Sequence, residues 1–389
     1  MGACRTGNDE LVSFGIALPG RILFGRGEAA KVPALIAGFG RRVLVVHGAS
    51  AARADWLMDG LAVQGAEITR LACCGEPDLP ALEAAIAATR AFAPQVVVGI
   101  GGGAVLDMAK ALAALIPAPG GVMDHLEVVG RGLPLTAQPL PFIAIPTTAG
   151  TGAEATRNAV IGVPAHGRKV SLRNEAMLAR VAIVDPALTD GCPRGITLAS
   201  GLDAVTQVIE PYISGRATPF TDAITRPAIA QGLAALQRLM EGEDAGARDA
   251  LAYVSLTGGM ALANGGLGAV HGLAGVIGGL TGAAHGAICG VLLGPVLTAN
   301  RARAPEGSVA AARMDDVAGW LSQAFGAADG PGALADWARA QGLPRLTALG
   351  LSAVQQQTVA EAALVSSSMQ GNPVVLSADD LMAVMSAAG

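Results

Sequence analysis

A chain of 389 residues, 52% hydrophobic and only 15% charged, can bury one large core or two ordinary ones, which excludes the disordered and low-complexity classes. A formal net charge of −5 offers no general attraction to phosphate backbones or anionic lipid, so neither a nucleic-acid nor a membrane partner is expected. Five cysteines (Cys4, Cys73, Cys74, Cys192, Cys289) form an odd set without CxxC spacing and read as reduced thiols; the opening MGACRTGNDE has no apolar run of leader length. The expectation is a cytoplasmic protein, with the Met-Gly start given no weight as a lipid-anchor signal.

Along the first half, short β-branched runs alternate with alanine-rich helical stretches. Arg42–Val46 reads as a buried strand followed by the small-residue turn His47-Gly48-Ala49-Ser50, and Ala66–Leu71 as a second strand. Asp78 to Phe92 predicts a helix with Leu79, Leu82 and Ile86 on one face, Gln95–Ile100 is strand-like again, and Pro141–Ile145 is a further apolar run. That order argues for a mostly parallel sheet covered by helices, an α/β architecture. Beyond Asp185-Pro186 strand signals fade, and long helical stretches such as Thr218–Met240 and Gly332–Gln341 take over. Two domains are therefore expected, an α/β unit over 1–187 and an all-helical (all-α) unit over 188–389, with linker-like composition only at Gly326–Gly332. Between Ala250 and Asn300 no acidic or basic residue occurs, but clustered glycines with His271 and His285 suit buried helices better than a lipid-facing span.

Two glycine-rich turns follow predicted strands. Gly101-Gly102-Gly103 leads into a helix containing Asp107 and Lys110; glycines there let backbone amides approach a pyrophosphate, and the helix N-terminus adds free donors. This is not GxGxxG, and a tight strand-to-helix turn is the alternative reading. Pro146-Thr147-Thr148-Ala149-Gly150-Thr151-Gly152 brings hydroxyls suited to ribose or carboxamide, or else to helix capping. Both turns fall where parallel sheets bind ligands.

Only five histidines occur, and two of them lie in the uncharged stretch, where an unpaired imidazole is costly. His271 and His285 would stand about 21 Å apart on one straight helix. Gly278, Gly279 and Gly282 permit a fold-back that brings the rings together. Asp203 and Gln207 share a helix face at i, i+4, and two His with one carboxylate suit Fe(II) or Zn(II). Two hydrogen-bonded core histidines remain the alternative.

These motifs, taken in order, resemble the iron-containing (group III) alcohol dehydrogenase family over nearly the whole chain. They run from Pro19–Gly27 through Gly101–Gly103 with Asp107 and Lys110, Pro146–Gly152 and Val181–Pro186, to Gly201–Ala204 with His271 and His285. The resemblance implies a dehydroquinate-synthase-like N-terminal α/β domain that binds NAD or NADP and a helical C-terminal domain that holds a divalent metal, Fe2+ or Zn2+. By matching position, Gly102, Gly103 and Asp107 would cradle the diphosphate, Thr147, Thr148 and Thr151 would line ribose and nicotinamide, and Lys169 would reach a ribose. Asp203, His271 and His285 match metal ligands and are the expected catalytic set, with Gln207 where the family has a His.

An amide oxygen is a weaker donor, so the resemblance implies looser metal binding, a three-ligand site in which Gln207 holds a water, or a metal-free site. Gly275 stands where many members carry a proton-transfer His, and Gly48 where many carry an Asp that contacts the adenosine ribose. Without that carboxylate a 2′-phosphate meets no charge clash, and Ser50 and Arg53 are candidates to contact it. The implied activity is interconversion of an alcohol with an aldehyde or ketone by hydride transfer, aided by a metal Lewis acid; the apolar composition points to a homodimer. The alternatives are a maleylacetate-reductase-like enzyme without metal, another reaction of the superfamily, or a cofactor-binding member whose catalysis has decayed.

Overall fold

The structure, a computed structural model, describes residues 13–389; Cys4 and the Met-Gly start lie outside the described residues. Six strands, β1 (Ile22–Phe24), β2 (Arg42–His47), β3 (Glu67–Ala72), β4 (Val96–Gly101), β5 (Phe142–Pro146) and β8 (Val181–Val184), form one parallel sheet in the order β1-β8-β5-β4-β2-β3. The central strands are runs of β-branched residues because both faces are covered. Val43 and Val45 point to the face closed by helices α1 (Val32–Ala37) and α2 (Asp55–Val63), packing on Ile36, Leu57 and Leu61. Leu44 and Val46 point to the opposite face, closed by α3 (Leu79–Arg90) and α4 (Gly103–Leu115) through Leu82, Leu106 and Leu112. Asp78 starts α3 by accepting a hydrogen bond from the Ala81 amide, so the expected helix begins one residue later than its polar cap.

The sequence reading names neither β1 nor β8 as a strand, and it misses one further element. Asn158–Val163 (β6) and Arg168–Arg173 (β7) pair antiparallel as a two-stranded ribbon outside the main sheet. Its strands alternate between buried and half-exposed residues, a one-sided pattern too short to stand out among the apolar runs around it.

The second half is helical throughout: α5 (Arg194–Ile213), α6 (Pro219–Glu241), α7 (Ala245–Gly265), α8 (Ala269–Thr281), α9 (His285–Arg303), α10 (Val309–Phe325), α11 (Gly330–Ala340), α12 (Gln356–Leu364) and α13 (Ala378–Ala388). They enclose one continuous apolar core, which also takes in Ala149, Ala155 and Val184 from the first half. Gly326 closes α10 in the left-handed conformation and Gly330 begins α11, so the linker-like segment is a tight helix–helix turn. Among the described residues no single helix is long and apolar enough to cross a membrane; α7 and α8 pass that test only as a pair bent by 101°.

Candidate active site

Parallel strands place all their C-terminal ends on one edge, and three neighbouring ones, β5, β4 and β2, deliver the loops singled out above. The chain leaves β2 towards β3 and returns on its other side as β4, so the turns after β2 and β4 diverge and open a crevice. Gly48 stands there against α4, where a Cβ would lie 3.9 Å from Val105. Gly102 and Gly103 lead into α4, and the loop after β5 lies directly across them. Side chains added at Gly102 or Gly103 would meet the Thr148 and Thr151 hydroxyls at 3.2 and 2.7 Å. Thr147, Thr148 and Thr151 are all half-exposed at this crevice.

Asp107 sits one turn further along α4, and its carboxylate accepts a hydrogen bond from the Val160 amide at 3.1 Å. Burial, only partly offset by Lys110, raises its pKa to about 6. Lys110 is fully buried and donates to the carbonyls of Ala153 and Asn158 and to the Thr156 hydroxyl, at 2.7, 2.8 and 2.7 Å. It fixes the backbone that carries the threonine loop into β6. Lys169, on β7, pairs with Glu76 at 2.5 Å and lies against Gly278 of α8, so it faces the helical half rather than open solvent.

The helical half holds the residues expected to bind metal, and Gly150 of the threonine loop packs on Ser200, one turn before Asp203. Asp203 and Gln207 occupy one face of α5, and α8 presents His271. The fold-back between the two histidines occurs at Gly282, which ends α8 at φ 70°, and α9 begins at His285. Gly278 and Gly279 stay helical and instead admit β7 at close range. Gly286 does the same for α9: a Cβ there would run into the Ala199 carbonyl and lie 3.2 Å from the Asp203 Cβ. Glycine at that position is what lets α9 lie against α5.

The result is a tight donor cluster. His271 Nε2 lies 3.4 Å and His285 Nε2 3.9 Å from Asp203 Oδ1, with the two rings 5.3 Å apart. Ligand atoms of Asp203, His271, His285 and Cys289 all fall within 4.8 Å of one another. Three buried atoms here have no hydrogen-bond partner: Asp203 Oδ1, Gln207 Oε1 and His271 Nε2. Orphaned buried polar atoms are costly, and three converging donor atoms fit a bound cation.

Two contributors escaped the sequence reading. Glu210, one helical turn beyond Gln207, accepts from His271 Nδ1 at 2.6 Å and from the Val270 amide at 2.8 Å. It thereby holds the imidazole with Nε2 bare towards Asp203, the outer-shell arrangement of a metal-binding His. Cys289 follows His285 by one turn of α9, its Sγ 3.5 Å from His285 Nε2. The helical spacings from Asp203 and from His285 are the signals that could have found them.

Electrostatics agree. Burial would raise Asp203, but His285, His271 and Gln207 together hold it below the ordinary carboxylate range. Burial would lower both imidazoles, yet Cys289, Glu210 and Asp203 raise His271 well above its usual value, and Cys289 and Asp203 raise His285 to about 9. The pocket favours positive charge.

The chain belongs to the iron-containing alcohol dehydrogenase family: residues 19–186 match the model for iron-containing alcohol dehydrogenases, and residues 197–389 match that for their C-terminal region. It is 38% identical over 248 residues to the probable alcohol dehydrogenase EutG of Escherichia coli (strain K12), covering 63% of this chain and 62% of that protein. With the NAD-dependent methanol dehydrogenase of Bacillus methanolicus it shares 39% identity over 193 residues, 49% of each chain. These alignments span less than two thirds of either relative. Among solved structures, a 1,3-propanediol oxidoreductase superposes with a TM-score of 0.86 at 26% identity, over 97% of this chain and 100% of that one. The iron-containing alcohol dehydrogenase of Thermococcus thioreducens gives 0.83 at 26%, over 97% and 99%.

Proposed function

We propose that this protein is an NAD(P)-dependent oxidoreductase that interconverts an alcohol with its aldehyde or ketone. The observation that carries the reading is the set of orphaned buried donors on Asp203, Gln207 and His271, the first two on a helix against which the threonine loop packs through Gly150. Asp203, His271 and His285 would hold a divalent ion, Fe2+ or Zn2+, which when bound supplies Lewis-acid polarisation of the substrate oxygen. A nicotinamide cofactor, when bound at the glycine-rich loops, would supply the hydride chemistry.

The chain's own residues do the positioning. Backbone amides of Gly102 and Gly103, at the first turn of α4, receive the diphosphate. Thr147, Thr148 and Thr151 orient ribose and carboxamide, and Lys169 stands at the far wall. Gly275, one turn past His271 on α8, meets no other element within 4 Å of a Cβ position, so a proton relay would run through water rather than a side chain there. At the end of β2, Gly48 brings no carboxylate, and the exposed Ser50 and Arg53 follow it, which supports acceptance of NADP(H) as well as NAD(H). The partner is a small-molecule alcohol or carbonyl, and the working assembly is a homodimer in the cytoplasm.

Elemental analysis of gently purified protein, with NAD(P)H absorbance followed before and after chelation and re-addition of Fe(II) or Zn(II), tests this. Turnover that falls on chelation and returns with metal is expected. No absorbance change with a broad alcohol and carbonyl panel, at any metal loading, would overturn it.

A further inference from the structure

We propose that Cys289 is a fourth protein ligand of the cation site, and that its thiolate biases the site towards zinc. The inference rests on the metal reading above and adds a donor that the sequence motifs did not include.

Cys289 is fully buried on α9, one turn past His285 and on the same face. Taken alone, a buried cysteine in an apolar helix is a packing residue. Its surroundings are not those of a packing residue. Its Sγ lies 3.5 Å from His285 Nε2, and within 4.8 Å of donor atoms on Asp203 and His271. Two of those facing atoms, Asp203 Oδ1 and His271 Nε2, belong to side chains 98% and 95% buried and have no hydrogen-bond partner.

Two of the three donor separations match a tetrahedral set. Bonds of about 2.3 Å to sulfur and about 2.05 Å to nitrogen or oxygen, at tetrahedral angles, place sulfur and nitrogen about 3.6 Å apart, and nitrogen and oxygen about 3.4 Å. The observed Cys289–His285 and His271–Asp203 separations are 3.5 and 3.4 Å, and His285–Asp203 is wider at 3.9 Å. Charge points the same way. Asp203 alone leaves a dication half-neutralised, and the Gln207 amide contributes no charge. A thiolate makes the set of direct ligands neutral: on loading, the Sγ–H bond breaks, the proton passes to water and the electron pair goes to the metal. Soft sulfur favours zinc over the harder demands of Fe(II) or Mg(II).

Cobalt(II) reports this directly. Metal-stripped full-length protein, loaded with one Co(II) per chain, is expected to show a near-ultraviolet sulfur-to-cobalt charge-transfer band that disappears in Cys289→Ser and survives in Gln207→Ala. In competition, Cys289→Ser is expected to lose at least about tenfold of its zinc affinity relative to Fe(II). One bound Co(II) without the band, or a band that persists in Cys289→Ser, overturns the ligand assignment and leaves the metal reading standing. Failure to bind Co(II), Zn(II) or Fe(II) at all removes both. Should Cys289→Ser not fold, X-ray absorption of the zinc-loaded wild type decides, with one sulfur at about 2.3 Å expected and none overturning the proposal.

Discussion

Glu210 touches no reacting atom, yet it decides which nitrogen of His271 is free. Its carboxylate accepts a hydrogen bond from Nδ1–H and another from the first turn of α8, leaving Nε2 aimed at Asp203. Glu210→Gln keeps the shape and removes the charge; metal affinity, measured by chelator competition, is expected to weaken about 10- to 100-fold. Unchanged affinity would take Glu210 out of the site. Asp203 is the carboxylate that faces the Nε2 atoms of both imidazoles, so Asp203→Ala should lower kcat at least about 1000-fold. NAD(P)H affinity, read by nicotinamide fluorescence, should stay nearly intact, because the cofactor loops lie on other elements. Retained turnover would remove the metal mechanism. At this scale the sequence exposed what is rare: two histidines in an uncharged stretch demand partners, and one Asp was available on a helix. Cys289 and Glu210 stayed hidden because a cysteine among apolar residues looks like core and a helix glutamate looks like surface. Only tertiary packing shows that Glu210 is 2% exposed.

Elements meet here through missing side chains. Gly150 brings the threonine loop onto Ser200, one turn before Asp203, while Gly286 brings α9 onto α5. Gly286→Ala is expected to force these helices apart, at a cost of about 1–3 kcal/mol in urea denaturation, with loss of bound metal by elemental analysis. Full stability with full metal content would show that close approach at Gly286 does not build the cluster. Strands and long helices were legible because β-branched runs and 3.6-residue periodicity act locally. The β6–β7 ribbon was not, since its stability derives from contact with α4 and α8 and its own pattern is weak. For the same reason, the sequence located a fold-back between His271 and His285 without deciding which glycine makes it.

Over the whole molecule, a buried charge group links the sheet to the threonine loop. Lys110 is fully buried and Glu154 is 2% exposed. Burial raises Glu154 from 4.5 to about 7, and lowers Lys110 from 10.5 to about 8. Between pH 4.5 and about 7 the folded state therefore holds a proton on Glu154 that the unfolded chain has lost. That contribution is complete below pH 4.5 and fades as pH rises through about 7. Glu154→Gln cannot titrate, so it should gain on the wild type across this window, by on the order of 3 kcal/mol at most. Denaturation midpoints at a series of pH values check this; a constant difference between the two proteins would contradict it.

The donor cluster also joins distant stretches of chain. Asp203 and His285 lie on the order of eighty residues apart, and the helices between them form much of the second core. An ion shared by those side chains would act as a reversible staple across that span, doing what a disulfide does in an oxidising compartment. Stripping it should therefore make unfolding both earlier and broader, well before any substrate is offered.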